Sequence, residues 1–149
     1  MKKENIKSWQ DAAHWALQSL QALGTQNNSL KELIDDQRSL FPEKAPTHEW
    51  LADVYTATQK RAEIPIEDSE LISLIALKQS WYGPYNILAF GTLGILIRIS
   101  DKFARLENLE QLQVNPEEET IRDTLLDLCG YCIIGVMVKN DLMEIPLIS

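Results

Sequence analysis

Apolar residues recur on a helical period through almost every part of the chain. The strongest segment runs from Pro116 to Val138. Asn115 suits the N-cap and Pro116 the first helical position, and Glu117, Glu118 and Glu119 put negative charge where the helix dipole is positive. Beyond them the helix is apolar on nearly every side: Ile121, Leu125, Leu128 and Cys132 on one, Leu126, Ile133 and Met137 on another, Ile134 and Val138 on a third. A helix of that kind is buried on most sides. Against this background Glu119, Asp123 and Asp127 stand at i, i+4 and i+8, a narrow stripe that runs on into Gly130, Ile134 and Met137.

Earlier segments follow the same period. Asn5 to Leu23 carries Ile6, Trp9, Ala13, Ala16, Leu17, Leu20 and Leu23, and Gly24 can end that helix. After a turn over Thr25 to Asn28, Ser29 and Glu32 form a capping-box pattern that starts a short helix to about Leu40. A linker covers Phe41 to Pro46, and Thr47 caps a helix with Trp50, Leu51, Val54 and Tyr55 that fades before Pro65. Asp68 or Ser69 caps the next, through Leu71, Ile72, Leu74, Ile75 and Leu77 to about Trp81. Lys78 and Tyr82 are one turn apart and point the same way, just before a Gly83-Pro84 breaker. One further helix is expected over Ile87 to Leu109, with Leu88, Leu93, Leu96, Ile97, Ile99, Phe103 and Leu106 toward the core. The pattern predicts an all-α helical bundle, one domain over 1–149, with the last two long helices at its centre. Residues 1–66 supply N-terminal helices without recognisable chemistry, 67–138 hold the candidate site, and 139–149 form a tail.

Charge narrows the function classes. The formal net charge of −8 excludes a general nucleic-acid or anionic-membrane binder, though a local basic cluster can still receive a small anion. No apolar run reaches the ~18 residues of a membrane span, and no signal-peptide core follows the charged start. Cys129 and Cys132 lie deep inside a helix, which predicts reduced, buried core residues and with them a cytoplasmic location. His14 and His48 fit no ligand spacing.

Two stripes carry candidate chemistry. The acidic one is either a solvated strip or a site for a divalent cation such as Mg²⁺, which prefers carboxylate oxygens and shares them with phosphates. The other lies on the Ile87–Leu109 helix, where Gly91, Gly94, Arg98, Asp101, Lys102 and Arg105 project within about a third of the circumference. It is either a ladder of exposed ion pairs worth tenths of a kcal/mol or the cationic wall of a phosphate site. Its two glycines would let a ligand approach the backbone closely.

These residues also resemble a known family. Lys78-Gln-Ser-Trp-Tyr-Gly-Pro-Tyr-Asn86, Gly91-x-x-Gly94, Arg98-Ile-Ser-Asp-Lys-Phe-Ala-Arg-Leu106 and the run Glu119 to Ile134 are similar to the nucleotide-modification-associated domain 1 family of phages and bacteria. That family in turn resembles the all-α nucleoside triphosphate pyrophosphohydrolases of the MazG and dimeric dUTPase group. The resemblance covers Lys78 to Val138 and implies a MazG-like architecture and a Mg²⁺- or Mn²⁺-dependent pyrophosphohydrolase that converts an NTP or dNTP to NMP and pyrophosphate. It implies Asp101, Glu119, Asp123 and Asp127 as metal ligands, with Asp101, Asp123 and Asp127 catalytic. Lys78, Tyr82, Asn86, Arg98, Lys102 and Arg105 would bind the nucleotide, and a homo-oligomer is implied. Two positions depart from the family pattern. Trp81 stands where an Asp precedes Tyr-Gly, and Asp101 is alone where the pyrophosphohydrolases carry a pair of glutamates. Both departures favour a second hypothesis, nucleotide binding without turnover. A third is a helical interaction module whose Trp-rich N-terminal helices serve a partner.

Overall fold

A computed structural model of the protein describes residues 2–23, 29–40, 46–111 and 118–148, and for 38–40 and 118–120 the backbone alone. After a 3-10 turn, Lys3–Asn5, the helices are α1 (Trp9–Leu23), α2 (Leu30–Leu40), α3 (His48–Arg61), α4 (Asp68–Tyr82), α5 (Tyr85–Leu88), α6 (Gly91–Gln111) and α7 (Glu118–Lys139). The described residues form no strand. The chain is all-α, as its periodicity predicts.

Local chemistry sets most helix starts. Thr47 Oγ1 accepts from the Trp50 amide at 3.0 Å and Ser29 Oγ from the Glu32 amide at 3.2 Å, as their patterns predict. Two starts differ from expectation. α1 begins at Trp9 because Ser8 Oγ accepts from the Asp11 amide while the Asp11 carboxylate accepts from the Lys7 amide. That exchange fixes the cap at Ser8 and leaves Lys3–Asn5 as a separate turn. At α4 neither Asp68 nor Ser69 is the cap: Glu67 holds that position, and the Asp68 carboxylate accepts instead from the Gln21 side chain at 3.1 Å. The expected caps at Gly24 and at Asn115-Pro116, the Thr25–Asn28 turn and most of the 41–46 linker lie outside the described residues.

α7 lies at the centre, packed against α1, α3, α4 and α6. Leu125, Leu128, Cys129, Cys132, Ile133, Val136 and Met137 are all buried, at about 1.5–3 kcal/mol for each large aliphatic side chain. Both cysteines are free, and burial pushes both thiols well above their ordinary range, as expected of inert core residues. α7 ends in a paired turn: Leu142 donates to the Met137 carbonyl and Asp141, at φ +57°, to that of Val138. The tail then returns to α1, where Pro146 accepts from the Trp9 amide at 2.9 Å. Trp9 and Trp50 belong to the core, Trp50 with its ring edge-on to Phe103 at 6.3 Å. They are thus unavailable as a partner-binding face of the N-terminal helices. No helix among the described residues is long and apolar enough to cross a membrane.

The expected single helix over Ile87 to Leu109 is broken. α5 ends at Leu88, and α6 restarts at Gly91 with φ +56°, a conformation that side-chain-bearing residues rarely adopt. Across the break α6 turns Ile95, Leu96, Ile99, Phe103 and Leu106 inward. Leu93 and Ile97, expected in the core, are 50% and 45% exposed instead, because α7 covers only the opposite side of α6.

A candidate anion site between α4, α5, α6 and α7

The C-terminal half of α4, the α4–α5 turn, α5, the middle of α6 and the middle of α7 surround a cavity of about 250 Å³. α4 contributes Ile75, Lys78, Gln79 and Tyr82, and α5 Asn86 and Ile87. α6 contributes Arg98 and Lys102, and α7 Asp127, Tyr131 and Ile134. The residues at 75, 78, 79 and 82, at 98 and 102, and at 127, 131 and 134 each share one face of their helix. Helical spacing alone therefore aims them into a common space once the four helices pack.

Asp127 is the charge centre. Its Oδ1 accepts from Lys78 Nζ at 2.8 Å and its Oδ2 from Lys102 Nζ at 2.9 Å. Its carboxylate is only 19% exposed. Burial alone would raise its pKa, but the hydrogen bonds and charges of Lys78 and Lys102 outweigh burial and hold it below the ordinary value of 3.8. Arg98 is held from the other side: Nη2 donates to the Asn86 carbonyl at 3.1 Å and Nη1 to that of Gly94 at 3.4 Å. A Cβ on Gly94 would lie 3.1 Å from that guanidinium and 2.9 Å from Phe90 Cβ. The glycine thus makes room for the chain's own Arg98 and Phe90, where the sequence suggested an approaching ligand.

Of the expected nucleotide-binding residues, Lys78, Tyr82, Asn86, Arg98 and Lys102 line this cavity, together with Asp127. Arg105 is exposed on α6 outside it. Asp101 and Asp123, expected beside Asp127 as metal ligands, are exposed and line no part of it, and the Glu119 side chain lies outside the described residues. Among the described residues no group of three or more His, Cys, Asp and Glu side chains could hold a metal ion. The acidic stripe was expected to crowd carboxylates together. Asp127 sits between two ammonium groups instead, because α7 presents it to Lys78 and Lys102 while Asp123, one turn earlier, faces outward. Gln79, Tyr131 and Ile134 are additional lining residues. Tyr131 and Ile134 continue the Asp127 stripe at i+4 and i+7, which is the sequence signal for them.

A larger cavity of about 610 Å³ lies elsewhere, between α2, α3 and α6. Its Arg61 and Glu110 pair with each other at 3.0 Å. Lys31, Lys60 and Arg61 stand against Glu107 and Glu110 there, a surplus of one positive charge, whereas the smaller cavity sets Lys78, Arg98 and Lys102 against Asp127 alone and is the candidate site. No protein-family model matches the chain, and no significant match to a characterised protein or a solved structure is found.

Proposed function

We propose that the protein binds a nucleotide through its phosphates in the α4–α7 cavity. One observation carries the reading: Lys78, Arg98 and Lys102, from two helices, converge with a single carboxylate, Asp127. Three positive charges and one negative leave +2, which suits a phosphate ester carrying about −1.5 to −2 at neutral pH. Arg98 offers a planar fork for phosphate oxygens and the lysines compact charges. Tyr82 and Tyr131 bring aromatic rings to the lining, of a kind that stacks on a base, and Asn86 and Gln79 bring side-chain amides of a kind that reads a base edge. About 250 Å³ is near the lower end of small-molecule sites, typically ~300–1,000 Å³, and favours a mononucleotide over a larger cofactor. The resemblance to the nucleotide-modification-associated family points to the same ligand class.

Mg²⁺- or Mn²⁺-dependent pyrophosphohydrolysis of an NTP or dNTP is the second reading. In its favour, Asp127, one carboxylate of the expected metal set, lines the same cavity as the phosphate-binding cations. The described carboxylates do not by themselves make a set for Mg²⁺, so no catalytic step is derived. A panel of NTPs, dNTPs and NMPs, incubated with the full chain with and without Mg²⁺, separates the readings. Saturable binding without product supports the first, and metal-dependent release of NMP and pyrophosphate the second. Absence of binding to any nucleotide overturns both.

A further inference from the structure

The anion site opens beside aromatic rings that the core does not use. Tyr82 lines the cavity and is nevertheless 67% exposed. Gly83 and Asn86, in and after the α4–α5 turn, line it too. Two further rings are chain neighbours of these lining residues: Trp81 precedes Tyr82, and Tyr85 precedes Asn86. They are 66% and 70% exposed, and neither lines the cavity. Trp9 and Trp50, by contrast, are core residues. Three rings this exposed within five consecutive residues, beside a cavity, are not the singly scattered apolar residues of an ordinary surface.

Size and charge limit what can reach both parts. A cavity of about 250 Å³ has room for about one nucleotide. Trp81 and Tyr85 are then left for whatever is attached to that nucleotide. Lys78, Arg98 and Lys102 against Asp127 suit a terminal phosphate monoester, at about −1.5 to −2, better than an internal diester with its single charge. The cavity thereby favours a strand end, while aromatic rings stack on any base. No Asp or Glu lies between Leu71 and Ser100, where Lys78 and Arg98 are the only charges. The elements that carry the rings therefore set no carboxylate of their own against a following phosphate. The net charge of −8 still opposes a long strand, so a short one fits best.

We propose that the cavity takes the terminal phosphate of a short single-stranded oligonucleotide, with the end nucleotide inside and the following bases stacked on Trp81 and Tyr85, a proposal that rests on the phosphate reading of the site.

Titration calorimetry of the full chain tests it with dTMP and with thymidine tetranucleotides carrying a 5′-phosphate, a 3′-phosphate or neither. A 5′-phosphorylated uridine tetranucleotide repeats the comparison on RNA. At least one phosphorylated strand is expected to bind at least ~10-fold more tightly than dTMP and than the unphosphorylated strand. The end and the sugar that bind best identify the source of the phosphate. In a Trp81→Ala/Tyr85→Ala double variant, affinity for that strand should fall to within about threefold of that for dTMP. Affinity for dTMP should stay within about twofold of the wild type, and helical circular dichroism should be unchanged, because both side chains are exposed. If dTMP binds as tightly as every strand, the proposal is overturned and the phosphate reading stands. If no phosphorylated ligand binds, both are overturned. Equal affinity for phosphorylated and unphosphorylated strands, or strand binding undiminished in the double variant, also overturns the proposal.

Discussion

Two clusters of charge join α4 to α7, and their stoichiometry differs. Near the helix starts Arg122 and Glu70 meet one to one, with Nη1 and Nη2 at 2.7 and 2.8 Å from the two carboxylate oxygens, and Nη2 also reaches the Pro65 carbonyl. Hydrogen bonding to Arg122 holds the Glu70 pKa below its ordinary value. Further along both helices Asp127 divides its two oxygens between Lys78 and Lys102, and Arg98 adds a third cation to the same cavity. The first cluster is closed: its charges cancel and neither residue lines the α4–α7 cavity. The second is open, with surplus positive charge around a space. A pair that only fastens two helices needs no surplus. Surplus charge beside a cavity is balanced when an anion binds.

The largest effect is expected from breaking the open cluster. Lys78→Met with Lys102→Met leaves Asp127 half-buried without either cation, a loss of the kind that costs about 3–5 kcal/mol for a fully buried pair and less here because the lysines are partly exposed. Chemical denaturation should show a loss of about 2–3 kcal/mol. Calorimetry should show nucleotide affinity falling at least ~30-fold, the equivalent of about 2 kcal/mol. With only burial left, the Asp127 pKa should move to the raised side, which carbon-detected NMR of the carboxyl can follow.

Asp127→Asn is expected to act on the two properties in opposite directions. It weakens two charge-assisted hydrogen bonds and should lower stability by about 1–2 kcal/mol. It also removes a negative charge from the cavity, so inorganic phosphate should bind as tightly as in the wild type or more tightly. Acid titration gives the sign independently. The folded pKa of Asp127 is depressed, so its contribution is complete above the unfolded value and is lost as pH falls through the folded one, below 3.8. Denaturation midpoints followed from pH 6 downward should fall less steeply in Asp127→Asn than in the wild type.

Arg122→Ala tests the closed cluster. Arg122 is part-buried, but the Glu70 carboxylate it leaves is 40% exposed and can be solvated, so the change should cost about 1 kcal/mol and leave nucleotide affinity within about twofold. The smallest effect is expected from Asp101→Asn and Asp123→Asn, both exposed: stability within about 0.5 kcal/mol and unchanged binding. A Mg²⁺-dependent rise in melting temperature that either substitution abolishes would instead favour the metal reading of the acidic stripe.

Much of the site was legible in the sequence, because a residue's position on a helix face depends on spacing alone. Lys78 and Tyr82, Arg98 and Lys102, and Asp127 each occupy the predicted face of their helix and meet at one cavity. Two features were not legible. The break at Ala89–Phe90 depends on Gly91 taking a positive φ, which a periodic reading of an apolar run passes over. The inward face of α6 differs from the periodic reading only at its edges: Leu93 and Ile97 lie roughly 60–100° round the same unbroken helix from Leu96, outside the stripe of Leu96, Ile99 and Phe103, and Ile95, on the other edge of that stripe, is passed over. Which carboxylates converge depends on the rotation of α7 about its axis, set by its packing against α1, α3 and α6 rather than by the acids themselves. Asp123 and Asp127 share a stripe, yet of the two only Asp127 lines the cavity and forms ion pairs with Lys78 and Lys102.

The central claim is that surplus positive charge around Asp127 receives a phosphate. Titration calorimetry of the full chain with a nucleotide and with its parent nucleoside, at about 50 mM and about 300 mM salt, tests it most directly. The account predicts nucleotide binding at least tenfold tighter than nucleoside binding, weakened by added salt and by Lys102→Met. Equal affinity for nucleoside and nucleotide, or phosphate-dependent binding that survives Lys102→Met and Arg98→Met undiminished, would contradict it.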